Sequence, residues 1–600
     1  MRVHAPLVIA IGLAAVATVV SMAQGPSTVD RFRALLAADW QYWMGQYPET
    51  ATSFGFPGQD GKWTDYSPAA IAARSAHLRA TIARLDAIER TQLPAPDQLN
   101  YDLYRDLIAT AVEGLDFGND ALPIRSVIPH NLHMPVNQME GIQQDLPRTI
   151  SIMPAATAAD YENIVARLRS ADAAIDQTIA LLKEGLALGL TPPQITLRDV
   201  PRQIEAQIVA DPMASPLLAA FEKWPPAIAQ ADRDRLTAAA AAAYKDRLRP
   251  ALARLHEFVA RTYLPACRET VGASALPKGA AMYAYNVRWH TTTAATPKEI
   301  HDIGVAEVKR IRAGMDAIIS KVGFKGTFDD FKQYLRTNTA FYYTDAEALV
   351  TGYRDIAKRA DPGLAVLFGT LPRTPYGVRP VPDATAPSQT TAYYEPGALS
   401  AGRPANMYAN TYKLDARPKW EMEALTLHEA VPGHHLQIAL AQELEGLPEF
   451  RKNTGYTAFV EGWALYAESL GDEMGFYADP YSKFGQLTYE MWRAVRLVVD
   501  TGMHSMGWTR QQAIDFFVSN AAKTEHDIVN EIDRYIAWPG QALAYKIGEL
   551  KIKELRDRAK AKLGDKFDIR EFHDVVLRQG AVPLDVLASR VDAWIAAQSR

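Results

Sequence analysis

The chain has 600 residues, 48% of them hydrophobic and 22% charged, and its 64 Lys and Arg against 69 Asp and Glu leave a formal net charge of −5. The apolar share excludes a disordered polymer, and the mild acidity argues against a nucleic-acid binder. A single cysteine, Cys267, excludes an internal disulfide and any multi-cysteine zinc or iron–sulfur site. With no base partner near it in sequence, Cys267 reads as an inert buried residue. A metal bound here must be held by histidines and carboxylates.

The first segment reads as an address. Arg2 gives a positive start, Leu7 to Val20 form an apolar stretch broken only by Gly12 and Thr18, and Ser21 and Ala23 place small residues before a cleavage point at Gln24. Residues 1–23 are therefore expected to be a secretory signal peptide, the competing reading being an uncleaved anchor. With no cysteine near the cleavage point, a lipoprotein anchor is excluded. The expectation is a single domain over 24–600, with no stable membrane insertion after cleavage, in the periplasm or the medium.

Apolar residues at three- and four-residue spacing predict helices over 27–48, 68–92, 97–115, 158–189, 203–210 and 228–263. The Ala238 to Ala243 run is a strong helix-former within the last of these. Thr296, Pro297 and Glu299 form a helix start with a cap, a first-turn proline and a capping-box acid. Between Leu371 and Pro396, six prolines imply loops and short extended pieces, and Tyr408 to Tyr412 reads as a strand. From Glu421 the helical pattern runs to the C-terminus. The fold class is mostly α, with a small sheet inserted shortly before residue 420.

The chemistry concentrates in Leu425 to Ile438, which contains His428, Glu429, Pro432, Gly433, His434 and His435. It opens like the zinc motif H-E-x-x-H, in which two histidines one turn apart bind the metal and the glutamate serves as base. Here the second histidine is displaced. On a regular helix neither His434 nor His435 can share an ion with His428, since zinc ligands sit about 2.0–2.1 Å from the metal. Pro432 and Gly433 allow the helix to be re-routed. A two-residue insertion puts His434 at the usual second-ligand position, with His435 the alternative. An irregular path is predicted around Pro432 and Gly433, with helix before it over 421–431 and again from about Leu436. Downstream, Glu461 lies in an almost wholly apolar run, where an unpaired carboxylate is costly and metal coordination offsets the cost. Glu468 is an alternative ligand or an outer partner, and pairing of Glu461 with an arginine is the competing reading. His301 and His573 lack metal-ligand spacing and read as structural.

Six segments together resemble the bacterial domain-of-unknown-function 885 family: 296–304 (TPKEIHDIG), 403–412 (RPANMYANTY), 428–434 (HEAVPGH), 460–468 (VEGWALYAE), 496–504 (RLVVDTGMH) and 534–545 (RYIAWPGQALAY). The resemblance covers nearly the whole mature chain and is strongest after residue 400. More distantly, the chain resembles gluzincin metallopeptidases such as carboxypeptidase Taq, oligoendopeptidases and angiotensin-converting enzyme. That likeness implies a two-lobed helical body with a deep central channel, an N-terminal part of about 24–290 and a catalytic part of about 291–600. It also implies one Zn2+ held by His428, His434 and Glu461. Variation at the position of His435 within the family favours His434.

These residues imply a zinc-dependent hydrolase of peptide or other amide bonds. Zinc lowers the pKa of a bound water toward roughly 7, and Glu429, beside a ligand without being one, takes the proton and delivers it to the leaving amine. The developing oxyanion needs a further donor, for which His504, Tyr535 and Tyr545 are candidates. Arg493, Arg496 and Arg534 are candidates for binding a substrate carboxylate, against a reading as structural salt bridges. Tyr408 and Asn410 are candidates for a strand along which an extended peptide adds. The alternative is a catalytically silent relative that binds peptides or other ligands in its channel.

Overall fold

A computed structural model describes residues 26–125, 128–383, 386, 389–397 and 403–599. The expected signal peptide lies outside the described residues, among which no helix is long and apolar enough to cross a membrane.

The protein is mostly helical, and its helix starts follow local chemistry. Ser27 caps Thr28–Gln46 through Asp30, and Thr157 caps Ala158–Leu188 through Asp160. At Pro297–Lys321 the Thr296 hydroxyl accepts from the Glu299 N–H, while the Glu299 carboxylate accepts from the Thr296 N–H. The helix predicted over 203–210 instead spans Val200–Glu205, because Pro201 sits in its first turn, where no N–H is needed. The run predicted over 228–263 is interrupted by wide turns at Tyr244–Leu248 and Val259–Tyr263. Each lies just before a proline, Pro250 or Pro265, whose missing N–H and bulky ring disrupt the regular ladder.

Three hydrophobic cores hold the helices. The first joins residues between Phe32 and Ile124 to residues between Ala273 and Ile595. The second lies within 136–267 and includes the buried Cys267. The third packs Pro297–Lys321 and Phe328–Thr337 against Pro480–Ser505 and the helices that follow. The expected division near residue 290 therefore does not coincide with a core boundary. The first helices bury their apolar stripes against the C-terminal ones.

Pro480–Ser505 is buried along nearly its whole length. The fully buried Lys546 ammonium reaches Glu490 on this helix at 2.8 Å, Glu307 on Pro297–Lys321 at 2.9 Å and Glu549 at 2.7 Å. Three carboxylates around one buried cation tie three helices in a fixed register.

The three strands are β1 (Tyr376–Pro380), β2 (Ala392–Glu395) and β3 (Ala405–Ala409), in the order β1-β3-β2. β1 is parallel to β3 and β2 antiparallel, with Tyr393 opposite Tyr408. The expected strand over 408–412 lies three residues earlier. Asn410 ends it, because its side-chain amide donates to the carbonyls of Ala386, Gln389 and Thr390. Ala346–Leu367 packs against β1 and Met422–Glu429 against β2, and the two helices also meet each other.

Candidate metal centre

The segment that displaces the second histidine is irregular where Pro432 and Gly433 predict it. Helix Met422–Glu429 ends at Ala430, whose ψ of −116° leaves the helical range, and helix resumes at His434 after Gly433 with ψ −128°. The Val431–Pro432 peptide is cis. The first helix ends two residues earlier than predicted and the second starts two residues earlier, because the His435 N–H reaches back to the Ala430 carbonyl at 3.1 Å. The Trp463 indole N–H holds the bulge by donating to the Pro432 carbonyl at 2.9 Å. A Cβ on Gly433 would stand 1.9 Å from the His428 carbonyl oxygen, so only glycine fits this fold-back.

This path brings His428 and His434 together. Their rings are perpendicular with centroids 4.8 Å apart. Glu461 enters from helix Thr457–Ser469, its Oε2 lying 3.7 Å from His428 Nε2 and 3.5 Å from His434 Nε2. One ligand atom from each of the three lies within 4.8 Å of the others. An ion with ligands about 2.0–2.1 Å away spaces them by roughly 3.3–3.4 Å in a tetrahedron. The donor set therefore fits zinc after small side-chain movements.

Glu461 is positioned by a close helix crossing. A Cβ on Gly548 of Ala544–Leu563 would stand 1.9 Å from the Ala458 carbonyl, and one on Gly462 would stand 2.5 Å from Gly548 Cα. Glu468, two turns beyond Glu461, is fully buried and bonds His428 Nδ1 at 2.8 Å. It takes the outer-partner alternative and leaves Nε2 to face Glu461. Burial disfavours the His428 imidazolium, but the Glu461 and Glu468 carboxylates outweigh it and raise its pKa to about 9. Burial likewise opposes the Glu461 carboxylate, yet the two histidines hold its pKa well below the usual range. The pocket is built to hold positive charge.

Glu429 follows His428 on the same wall. Burial raises its pKa, opposed by His428 and His434. His435 points elsewhere, with its ring 4.4 Å from that of Tyr376 and its Nδ1 3.2 Å from the Tyr394 hydroxyl. Burial pushes its pKa down to about 4.

His428, Glu429, His434 and Glu461 line a cleft of about 1250 Å³ that is also lined by Arg493, Arg496, Arg534 and Tyr545. Four other predicted site residues lie off it. His504 is fully buried, its Nδ1 accepting from the Ala273 N–H and its Nε2 donating to the Tyr535 carbonyl. The buried Tyr535 hydroxyl accepts from Trp492 and Arg496 and donates to Glu531, leaving nothing for an oxyanion. Tyr408 stacks on Tyr393, and Asn410 is buried in its turn. β3 is the central strand, paired on both edges, so no peptide can add to it. The strand that borders the cleft is the edge strand β2. Tyr545 keeps its role as candidate: its hydroxyl accepts from Arg534 at 3.3 Å and no acceptor takes its proton among the described residues.

Arg496 and Arg534 are both engaged by Glu531, at 3.0 and 3.4 Å. Among the cleft residues that escape the sequence reading are Arg417, Tyr489, Trp492 and Lys523. Tyr489, Trp492, Arg493 and Arg496 recur at three- and four-residue spacing, so one helical stripe carries them, and that spacing is the available signal. Arg417 and Lys523 have no such signal. His301 and His573 are structural, bonded to Thr501 and to Tyr466 and Leu367.

A model of a bacterial protein family of unknown function, DUF885, matches residues 48–591. The chain belongs to the DUF885 family. Among solved structures, a lipoprotein candidate from Colwellia psychrerythraea is 30% identical, with a TM-score of 0.87 over 95% of this chain and 100% of that one. A lipoprotein candidate of unknown function from Shewanella oneidensis is 17% identical, with a TM-score of 0.72 over 94% and 99%, and shares the fold. No curated protein matches this DUF885 chain.

Proposed function

We propose that this DUF885 chain is an exported, zinc-dependent amide hydrolase acting on peptides, related to the gluzincin metallopeptidases. The observation that carries the reading is the convergence of His428, His434 and Glu461, with Glu429 beside them, on the wall of a cleft large enough for a peptide. Export is supported by the sequence of residues 1–23 and by the lipoprotein descriptions of the similar structures.

When bound, zinc supplies Lewis acidity and makes water a stronger acid. His428 and His434 serve as neutral ligands, with Glu468 fixing the tautomer of His428. The Glu429 carboxylate is free of ligand duty, and its raised pKa suits a group that accepts a proton from the attacking water and returns it to the leaving amine. The Tyr545 hydroxyl donates to the carbonyl oxygen as its charge develops. The edge strand β2 offers its backbone to an extended substrate, in place of β3.

The test is metal analysis of the purified protein together with mass spectrometry of a peptide library. Wild type should carry one zinc and cleave peptides. Glu429→Gln should keep the zinc and lose about 100-fold or more in rate, as expected for removal of a general base. Zinc without cleavage of any amide would favour the ligand-binding alternative, and full activity in Glu429→Gln would remove the base assignment.

A further inference from the structure

The cations of the cleft differ in what satisfies them. Lys523 is held by both Glu421 oxygens at 2.8 Å, Arg198 by Asp533 at 3.0 Å, and Arg496 and Arg534 share Glu531. Two arginines stand apart. Arg493 is 6% exposed, and its Nη1 donates only to the Tyr489 carbonyl at 3.3 Å. The carboxylate nearest to it, Glu468, lies 3.8 Å away and is committed to His428 at 2.8 Å. Arg417 is half-buried, bonds Thr391 Oγ1 at 3.1 Å, and has no carboxylate within 4.0 Å among the described residues. The Nε of each is buried without a partner.

We infer that Arg417 and Arg493, which line the same cleft, are the receptor for the carboxylate at a peptide's C-terminus, so that the hydrolase is a carboxypeptidase-type enzyme. This rests on the hydrolase reading and names its substrate class. A buried guanidinium whose one carboxylate neighbour, Glu468 at 3.8 Å, stands beyond hydrogen-bond reach is poorly satisfied, and a bidentate carboxylate is the partner its geometry fits. Arg493 flanks the rings of Tyr489 and Trp492, at 4.9 and 5.5 Å from their centroids, which leaves its planar fork fixed in direction. Its position fixes the distance from the chemistry. Glu468 touches both, lying 3.8 Å from Arg493 and 2.8 Å from His428, and an extended chain advances about 3.3–3.6 Å per residue. A carboxylate held there places the scissile bond within the last few residues. Arg417, bonded to the residue before β2, sits where a chain paired along that strand runs out.

Binding is measured on the zinc-loaded Glu429→Gln protein, which holds substrate without turning it over. The probes are an N-acetylated peptide with a free C-terminus, its C-terminal amide, and the amide with an internal glutamate. The free acid should bind about tenfold or more tightly than the amide, as one charge-assisted bidentate contact implies. Arg417→Gln and Arg493→Gln should each reduce that preference. Arg493→Lys, which retains the buried charge and so the fold, should lose the bidentate part of it while melting near the parent temperature. Equal binding of acid and amide would overturn the inference, as would a preference untouched by every arginine variant. Tight binding of the internal-glutamate amide would assign the two arginines to acidic side chains and overturn the C-terminal assignment. Acid-selective binding with no hydrolysis by wild type would leave the receptor standing and remove the hydrolase. Hydrolysis indifferent to the C-terminus would do the reverse.

Discussion

His434 and His435 are adjacent in sequence and opposite in environment. The first faces a carboxylate 3.5 Å away, the second a tyrosine ring and hydroxyl. His434→Ala should therefore lower zinc affinity by orders of magnitude, whereas His435→Ala should chiefly cost stability through the lost packing against Tyr376. Zinc titration and thermal melting of both variants separate the two effects, and a reversed order would make His435 the ligand. Glu468→Gln keeps shape and removes charge behind His428. Loss of such an outer partner costs about 10–100-fold in metal affinity. Competition with a chromophoric chelator measures it, and an unchanged affinity would show that Glu468 serves only to neutralise Arg493.

The helix crossing at Gly462 and Gly548 sets where Glu461 stands. Gly548→Ala adds a Cβ at 1.9 Å from a backbone carbonyl, a clash no side-chain rotation relieves. The helices must part, with an expected destabilisation of about 1–3 kcal/mol or more from overpacking and a fall in zinc affinity as Glu461 moves. Gly314→Ala on Pro297–Lys321 is the control. Its Cβ would meet only the Leu487 side chain at 3.4 Å, and the gain in helix propensity is about 1 kcal/mol. Denaturant melts and zinc titrations should show the first variant impaired in both and the second in neither. The same logic forbids a side chain at Gly433, where the path doubles back onto His428.

Three fully buried histidines make the whole molecule sensitive to acid. Burial lowers the pKa of His290 to about 3, of His504 to about 4 and of His573 to about 3. In the unfolded chain each binds a proton below about pH 6.5. Between that value and their folded pKa values the unfolded state holds more protons, so stability falls as pH drops. Asp500 acts in the opposite sense. Burial raises it to about 7, so the folded chain keeps its proton from about pH 4 upward and acidification favours folding at that group. His435, held down to about 4 by burial, and Glu531, held to about 2 against burial by Arg534 and Arg496, add to the three histidines. His428, with its raised pKa, stays protonated in the folded state across this window. The melting temperature measured in chelator should fall between pH 6.5 and 4.5, and a flat profile would contradict the neutral burial of these histidines.

Much of the molecule is readable before folding is considered. The spacing of apolar residues marks most helices, and Thr296 with Glu299 marks a start that the structure reproduces. His428, Glu429, Pro432, Gly433 and His434 announce a distorted metal-helix because proline and glycine constrain the backbone locally, whatever surrounds them. Glu461 is suspect from its apolar neighbours alone. Tertiary structure decides what depends on packing between distant segments. His504 and Tyr535 carry reactive groups in a recognisable motif, yet their hydrogen-bonding capacity is consumed by Ala273, Trp492, Arg496 and Glu531, partners that no local pattern links to them. The strand order makes β2 rather than β3 the edge, since pairing joins strands that are not neighbours along the chain. Arg417 acquires its meaning only when the fold gives other cations of the cleft their carboxylates and leaves it none. Local backbone chemistry travels with the sequence; the satisfaction of buried polar groups is a property of the assembled core.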